Sequence, residues 1–298
     1  MKLAYDEIIA FPIPRAEHAI STRELLHYAL ALGAGNDLPN PEALPFVYEK
    51  GLRPLATYYT ILTWLNPRWL TSLGIDVTGL IHVGESLEVH EPIPINGAAV
   101  VDARIVAVID KGAERGAIFT AEFTIRDKRS GRPLATARSD LFCRKDGGIE
   151  GAPVTPPASW RKAPDRTPDG YLTLPTRPEQ AALYRLCGDM NPIHIDPDVA
   201  RAAGFDRPLL HGLATYGMAY LGLLRSRLNG ETEAMKTLSV RFSGPVFPGE
   251  TMDLAYWENP HEIDFRISVG ANRPVLDGRL SRRTRPTAAT SCQEQATV

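Results

Sequence analysis

The chain has 298 residues, 44% of them hydrophobic and 23% charged, which suits an ordinary globular protein of one large domain or two medium ones, with two expected. A formal net charge of -2 gives no overall field for attracting nucleic acid or an anionic membrane, so an anionic ligand has to be held by local arginines. Cys143, Cys187 and Cys292 are widely spaced with no Cys-x-x-Cys pair, which argues against a disulfide scaffold or zinc site, and no apolar run reaches the roughly 18 residues of a membrane span; a cytoplasmic protein without a metal is expected.

In chain order, residues 1–20 carry alternating apolar positions with Pro12 and Pro14 and read as an extended lead-in. Ser21-Thr-Arg-Glu24 has capping-box spacing, Leu25, Tyr28, Ala29 and Leu32 recur at helical intervals, and Gly33 suits the C′ position, so a first helix is expected there. Asn40-Pro41 suggests a short helix. Residues 46–70 then hold Phe46, Tyr48, Tyr58, Tyr59, Trp64 and Trp69 among scattered prolines. Strand-like runs follow at 75–83, 86–90, 98–109, 117–126 and 133–143, separated by Gly and charged turns, which predicts an antiparallel sheet.

Residues 146–170 lack periodicity and read as a surface linker. Thr176-Arg-Pro-Glu179 repeats the capping-box spacing, Ala182, Leu183 and Leu186 continue a helix, and Gly188 stops it. Asp196-Pro197 predicts the start of a short helix ending at Gly204, and Leu213–Leu228 a longer one. Strands are expected at 237–247, 251–258, 262–269 and 274–281, followed by a polar, disordered tail.

The halves resemble each other. Leu73–Val89 aligns without gaps on Leu238–Leu254, bringing Gly79 onto Gly244, Gly84 onto Gly249 and Glu85 onto Glu250. Each half also has a capping box, a tyrosine (Tyr28, Tyr184) and a glycine stop, so the expectation is a duplicated helix-plus-sheet unit. The expected division is a degenerate repeat over 1–148, a linker over 149–171, a catalytic repeat over 172–282 and a tail over 283–298.

Chemistry concentrates in Tyr184-Arg-Leu-Cys-Gly-Asp-Met-Asn-Pro-Ile-His194 and Arg207-Pro-Leu-Leu-His-Gly-Leu213. Asp189, Asn191 and His194 lie in a segment that Gly188 and Pro192 keep from regular helix, so an acid/base pair and a positioning amide can converge. Gly212 puts a backbone N–H at a helix start, where donors lack intrahelical acceptors and can polarise a carbonyl. Asp196 reads as a cap, His211 as either a loop-orienting or a satisfied structural histidine, and Cys187 as an inert buried thiol. Arg201, Arg207 and Arg241 are candidates for phosphate.

These segments, with Phe242-Ser-Gly-Pro-Val-Phe-Pro-Gly249, resemble the MaoC-like hydratase/dehydratase family, and more closely its two-repeat hydratase 2 members. The resemblance implies an α+β double hot-dog fold, in which each long helix is wrapped by a curved antiparallel sheet and the two repeats form a pseudodimer. It also implies hydration of trans-2-enoyl-CoA to (3R)-3-hydroxyacyl-CoA, reversible and cofactor-free, with Asp189 and His194 as the catalytic pair, Asn191 positioning, and Gly212 N–H as oxyanion donor. The first repeat has Gly33-Ala-Gly-Asn36 where the second has Gly188-Asp-Met-Asn191, with no matching histidine, so one active site per chain is expected. His82-Val-Gly-Glu85 loosely matches a His-Gly-Glu-Gln turn of two-repeat relatives. The irregular 46–70 stretch either fills the core or leaves an acyl channel lined by Phe46, Tyr58, Tyr59 and Trp64. Beside the hydratase stand two alternatives: a hot-dog acyl-CoA thioesterase and a non-catalytic acyl-CoA-binding subunit. A homodimer of such pseudodimers is carried as an expectation.

Overall fold

The computed structural model describes residues 4–64, 68–153 and 163–284. The first half runs α1 (Tyr5–Ile9), β1 (Ala16–Ile20), α2 (Thr22–Ala31), α3 (Leu44–Val47), α4 (Tyr59–Trp64), α5 (Arg68–Ser72), β2 (Leu80–Val89), β3 (Gly97–Asp110), β4 (Ala117–Asp127) and β5 (Pro133–Cys143). The second runs β6 (Gly170–Pro175), α6 (Gln180–Tyr184), α7 (Pro197–Ala202), α8 (Gly212–Arg227), β7 (Met235–Phe242), β8 (Thr251–Glu258), β9 (Glu262–Val269) and β10 (Arg273–Arg282). All strands join one antiparallel sheet in the order β1-β3-β4-β5-β2-β7-β10-β9-β8-β6. That order reads the same from either edge once β2 is matched with β7 and β1 with β6: this is the double hot-dog, closed at its centre by β2 against β7, with Gly84 opposite Arg241 and Glu88 opposite Thr237.

The symmetry corrects the register of the internal match. β2 corresponds to β7, so Pro92-Ile93 falls on Pro245-Val246, whereas the gapless alignment had placed mid-strand Gly84-Glu85 on Gly249-Glu250 in the turn before β8. A Gly-Glu pair recurs in two unlike settings. A truer repeat lies in the helices, where Leu55-Ala-Thr-Tyr58 matches Leu213-Ala-Thr-Tyr216.

Other expectations shift for local reasons. The lead-in contains α1, whose first turn carries Asp6 and Glu7. The runs at 75–83 and 86–90 are one strand, because a register shift between His82 and Gly84 absorbs the glycine without ending the ladder. The Thr176–Glu179 capping box does not form: the Thr176 hydroxyl binds the turn before β8, donating to the Glu250 carbonyl and accepting from Gly249 N–H, and Glu179 itself takes the N-cap place without a side-chain bond. β6, read as linker and helix approach, pairs along β8. β7 stops at Phe242, ahead of Gly244-Pro245. Asn40-Pro41 forms turns, with α3 beginning at Leu44. The expected tail from 285 lies outside the described residues.

The capping boxes and stops that do form explain the rest. Ser21 accepts from Glu24 N–H and Glu24 reaches back to Ser21, while Gly33 ends α2 at φ +87°. α8 is buried from Leu213 to Leu221 and again at Leu223 and Leu224, as a helix wrapped by its sheet must be. Gly217 allows α2 to approach it, since a Cβ there would sit 2.7 Å from Leu32 Cδ1. The other face of the sheet is solvated and laced by cross-strand pairs such as Arg104–Glu122–Arg138 and Arg266–Asp277. Their arginines are well exposed, which limits what such pairs contribute to stability.

Candidate active site

The loop after α6 owes its shape to three residues. Gly188 takes φ +142°, ending the helical run. Asn191 caps the next turn, its Oδ1 accepting from Ile193 N–H at 3.1 Å, and Pro192 starts that turn without needing an acceptor. Asp189 Oδ1 accepts from Asn191 N–H at 3.1 Å, leaving Oδ2 directed toward His194. His194 is fixed from the far side: its Nδ1 lies 3.0 Å from the Leu209 carbonyl and must carry the proton there, so Nε2 is a lone pair, 3.9 Å from Asp189 Oδ2. That separation exceeds a hydrogen bond, so both acceptors are available to a third group.

Against this loop stands the start of α8. His211 is its N-cap residue and Gly212 its first residue, and the His211 carbonyl accepts from Ala214 and Thr215 N–H. Gly212 N–H is therefore one of the first-turn donors with no intrahelical acceptor. A Cβ on Gly212 would sit 3.3 Å from Phe242 Cε1, so a larger residue would need the Phe242 ring to give by a few tenths of an ångström. Phe242 packs on His82 with ring centroids 5.1 Å apart, and His82 on Trp64 at 5.1 Å, so the first half walls one side of the site.

The structure thus brings Asp189, Asn191, His194 and Gly212 together. It does not bring all the binding candidates there. Arg201 is exposed and ion-paired with Asp198, and Arg207 lies over the Phe247 ring at 4.9 Å. Arg241 is exposed on β7 between inward-facing Val240 and Phe242, so strand alternation turns it to the solvated face. Phe46 is buried near Arg225 and Gly230 at the opposite end of α8, and Tyr59 spends its hydroxyl on the Glu91 carbonyl. Tyr58 packs edge-on against Tyr28, which neighbours Tyr184, and Trp64 reaches the Gly212 side only through His82 and Phe242.

Two features were not visible in sequence, and a third was legible there but went unread. The Leu209 carbonyl that sets the His194 tautomer carries no side-chain signal. His211 stacks on His194, centroids 3.6 Å and planes 24° apart, where its type alone had suggested nothing definite. In the first half the Leu-Ala-Thr-Tyr match puts Pro54 where the second half has Gly212, and proline has no N–H to offer. That short repeat was the available clue.

Asp189, His194 and His211 offer donor atoms all within 4.8 Å of one another. The two rings stack, and each places one ring nitrogen against a main-chain carbonyl, which leaves the other nitrogen of each ring beside the Asp189 carboxylate.

Burial lowers the His194 pKa, with Arg185 adding to the effect and Asp189 and the Leu209 carbonyl opposing it. Burial pushes His211 down to about 2, aided by His194 and Arg185. Both imidazoles are neutral in the folded protein, whereas the unfolded chain protonates them below about pH 6.5. Acid therefore favours unfolding, and stability falls as pH drops below 6.5, by up to about 1.4 kcal/mol per pH unit for each histidine that remains neutral. Urea midpoints should fall between pH 7 and pH 5, and His211→Gln should flatten that slope; an unchanged slope would contradict the buried neutral imidazole. The Cys187 thiol, pushed up to about 12 by burial, stays protonated and is no nucleophile.

Comparison with known proteins matches residues 18–145 to the MFE-2 hydratase 2 N-terminal domain and 159–277 to the MaoC like domain. The chain is 34% identical to enoyl-CoA hydratase ChsH3 of Mycobacterium tuberculosis, covering 93% of this chain and 98% of that protein. It is 32% identical to the peroxisomal enoyl-CoA hydratase 2 of Arabidopsis thaliana, covering 93% and 95%. A MaoC-like dehydratase structure from Phytophthora capsici superposes with a TM-score of 0.81 at 27% identity, over 95% of this chain and all of that one.

Proposed function

The chain belongs to the MaoC-like hydratase/dehydratase family, and from that premise we propose that it is a hydro-lyase adding water to trans-2-enoyl-CoA to give (3R)-3-hydroxyacyl-CoA, and running the reverse dehydration. The observation that carries this reading is the neutral His194 Nε2 and the Asp189 carboxylate facing one space beside the free N–H of Gly212.

A water held by both acceptors attacks C3 of the enoyl group. Its oxygen forms the new C–O bond, one proton passes to the Asp189/His194 pair, and the C2–C3 π electrons move toward the thioester as an enolate. Gly212 N–H stabilises the developing oxyanion, aided by its place at a helix N-terminus. The proton held by the pair then returns to C2, so hydrogen and oxygen balance without metal or redox cofactor. The first repeat, with Pro54 in place of an oxyanion donor, is read as a wall and not as a second centre. No helix among the described residues is long and apolar enough to cross a membrane, and the free thiols Cys143 and Cys187 support a cytoplasmic location as part of this reading.

With crotonyl-CoA, enoyl absorbance should fall without release of free thiol; thiol release selects a thioesterase, and neither signal selects a binding subunit. Chain length is a second test. On this reading an acyl tail lies along the aromatic wall that the first half supplies, beside Trp64 and Tyr58. Each buried methylene contributes at most about 0.8 kcal/mol, so kcat/KM should rise by more than about tenfold from four- to eight-carbon enoyl-CoA. Flat or falling values would mean that these aromatics only fill the core.

A further inference from the structure

We propose that His211 is a positioning residue: it ties the loop carrying Asp189 to the N-terminus of α8, so that carboxylate, imidazole and oxyanion donor hold one mutual geometry. The proposal rests on the reading of Asp189, His194 and Gly212 as the reacting groups. His211 Nε2 lies 3.1 Å from the main-chain carbonyl of Asp189 and donates its proton there. Its ring is held between two others, stacked on His194 at 3.6 Å and tilted against Tyr184 at 4.9 Å. Its own main chain is the start of α8, next to Gly212. One residue thereby touches the Asp189 peptide, the His194 ring and the oxyanion turn while remaining 1% exposed.

The loop has a second tether further along, and it does not restrain Asp189. Leu209 N–H donates to the Ile193 carbonyl, and the Leu209 carbonyl accepts from His194, so both bonds act at the distal end of the loop. Asp189 follows Gly188, whose φ of +142° is open to glycine and leaves that peptide free to swing unless something holds it. The His211 N–H is the bond that does. An imidazole does this better than an ammonium or guanidinium: it stays neutral beside Arg185 and carries an N–H donor and a flat face in one side chain.

Two substitutions separate the tether from the stack. His211→Phe keeps a ring against His194 and Tyr184 but has no donor; His211→Gln can set an amide N–H near the place of Nε2 but has no ring. Steady-state kinetics on a trans-2-enoyl-CoA, normalised to folded protein by circular dichroism, should show kcat of His211→Phe lowered about 10- to 100-fold, the scale of a misplacement on the order of 1 Å. Its KM should stay within about threefold of wild type, and His211→Gln should recover most of the lost kcat. Asp189→Asn is run alongside. If Asp189→Asn is inactive and His211→Phe keeps wild-type kcat, the tether is wrong and the site reading stands; if Asp189→Asn is active, the reading beneath it fails. Equal losses in the Phe and Gln variants would also overturn the tether, since they would make the imidazole a packing element only.

Discussion

Asp189→Asn and His194→Ala should each lower turnover on a trans-2-enoyl-CoA by about 10²- to 10⁴-fold, the usual contribution of a positioned general acid or base. The chemistry supplies the reason. Asn at 189 can still accept from Asn191 N–H through Oδ1, so the loop keeps its turn while the carboxylate is lost. Ala at 194 removes the lone pair at Nε2 together with the Nδ1 bond to Leu209, so its effect should be the larger. Both residues lie in the irregular segment between α6 and α7, so circular dichroism should be unchanged although His194 packs against His211. Because the two residues share one proton, the double variant should be little slower than the slower single one. A single variant retaining near-wild-type kcat would remove that residue from the mechanism.

The second large effect concerns the halves. A fragment beginning at residue 164 keeps Asp189, Asn191, His194 and Gly212, yet it should show no measurable activity and collect in the insoluble fraction. Removing the first half strips β2 from β7 and leaves the β7 edge open for pairing with other chains. It also exposes contacts that cross between the halves: the Tyr28–Tyr184 ring pair, His27 Nε2 to the Leu183 carbonyl at 3.1 Å, and Leu32 against Gly217. Trp64 and His82, which wall the site through Phe242, leave with it. Size-exclusion chromatography and the enoyl-CoA assay decide the matter; a soluble, active fragment would show that the first half is dispensable.

Sequence was most informative where a local rule determines local structure. Ser21 with Glu24, Gly33, Asp196-Pro197 and Gly204 announce caps and stops that form as written, and Gly188 with Pro192 already implied an irregular loop carrying Asp189 and His194. It misled where one local pattern serves two purposes. Thr176–Glu179 has the spacing of a capping box, yet tertiary contact with the turn before β8 claims the threonine; Gly84-Glu85 and Gly249-Glu250 look alike although one lies in mid-strand and the other in a turn. The remainder was hidden because main-chain atoms or distant residues make it: the Leu209 carbonyl that fixes a tautomer, the stack of His211 on His194, and the outward face of Arg241, which depends on the phase of β7.

The central claim, an (R)-specific hydro-lyase using Asp189, His194 and Gly212, is tested most directly by the stereochemistry of the product. Crotonyl-CoA incubated with the protein, followed by chiral separation of the acyl products, should give (3R)-3-hydroxybutyryl-CoA, with no free CoA and with product forming at least about 10²-fold more slowly in Asp189→Asn. Accumulation of the (3S) isomer, release of free CoA, or an Asp189→Asn variant that forms the (3R) product at near-wild-type rate would contradict it.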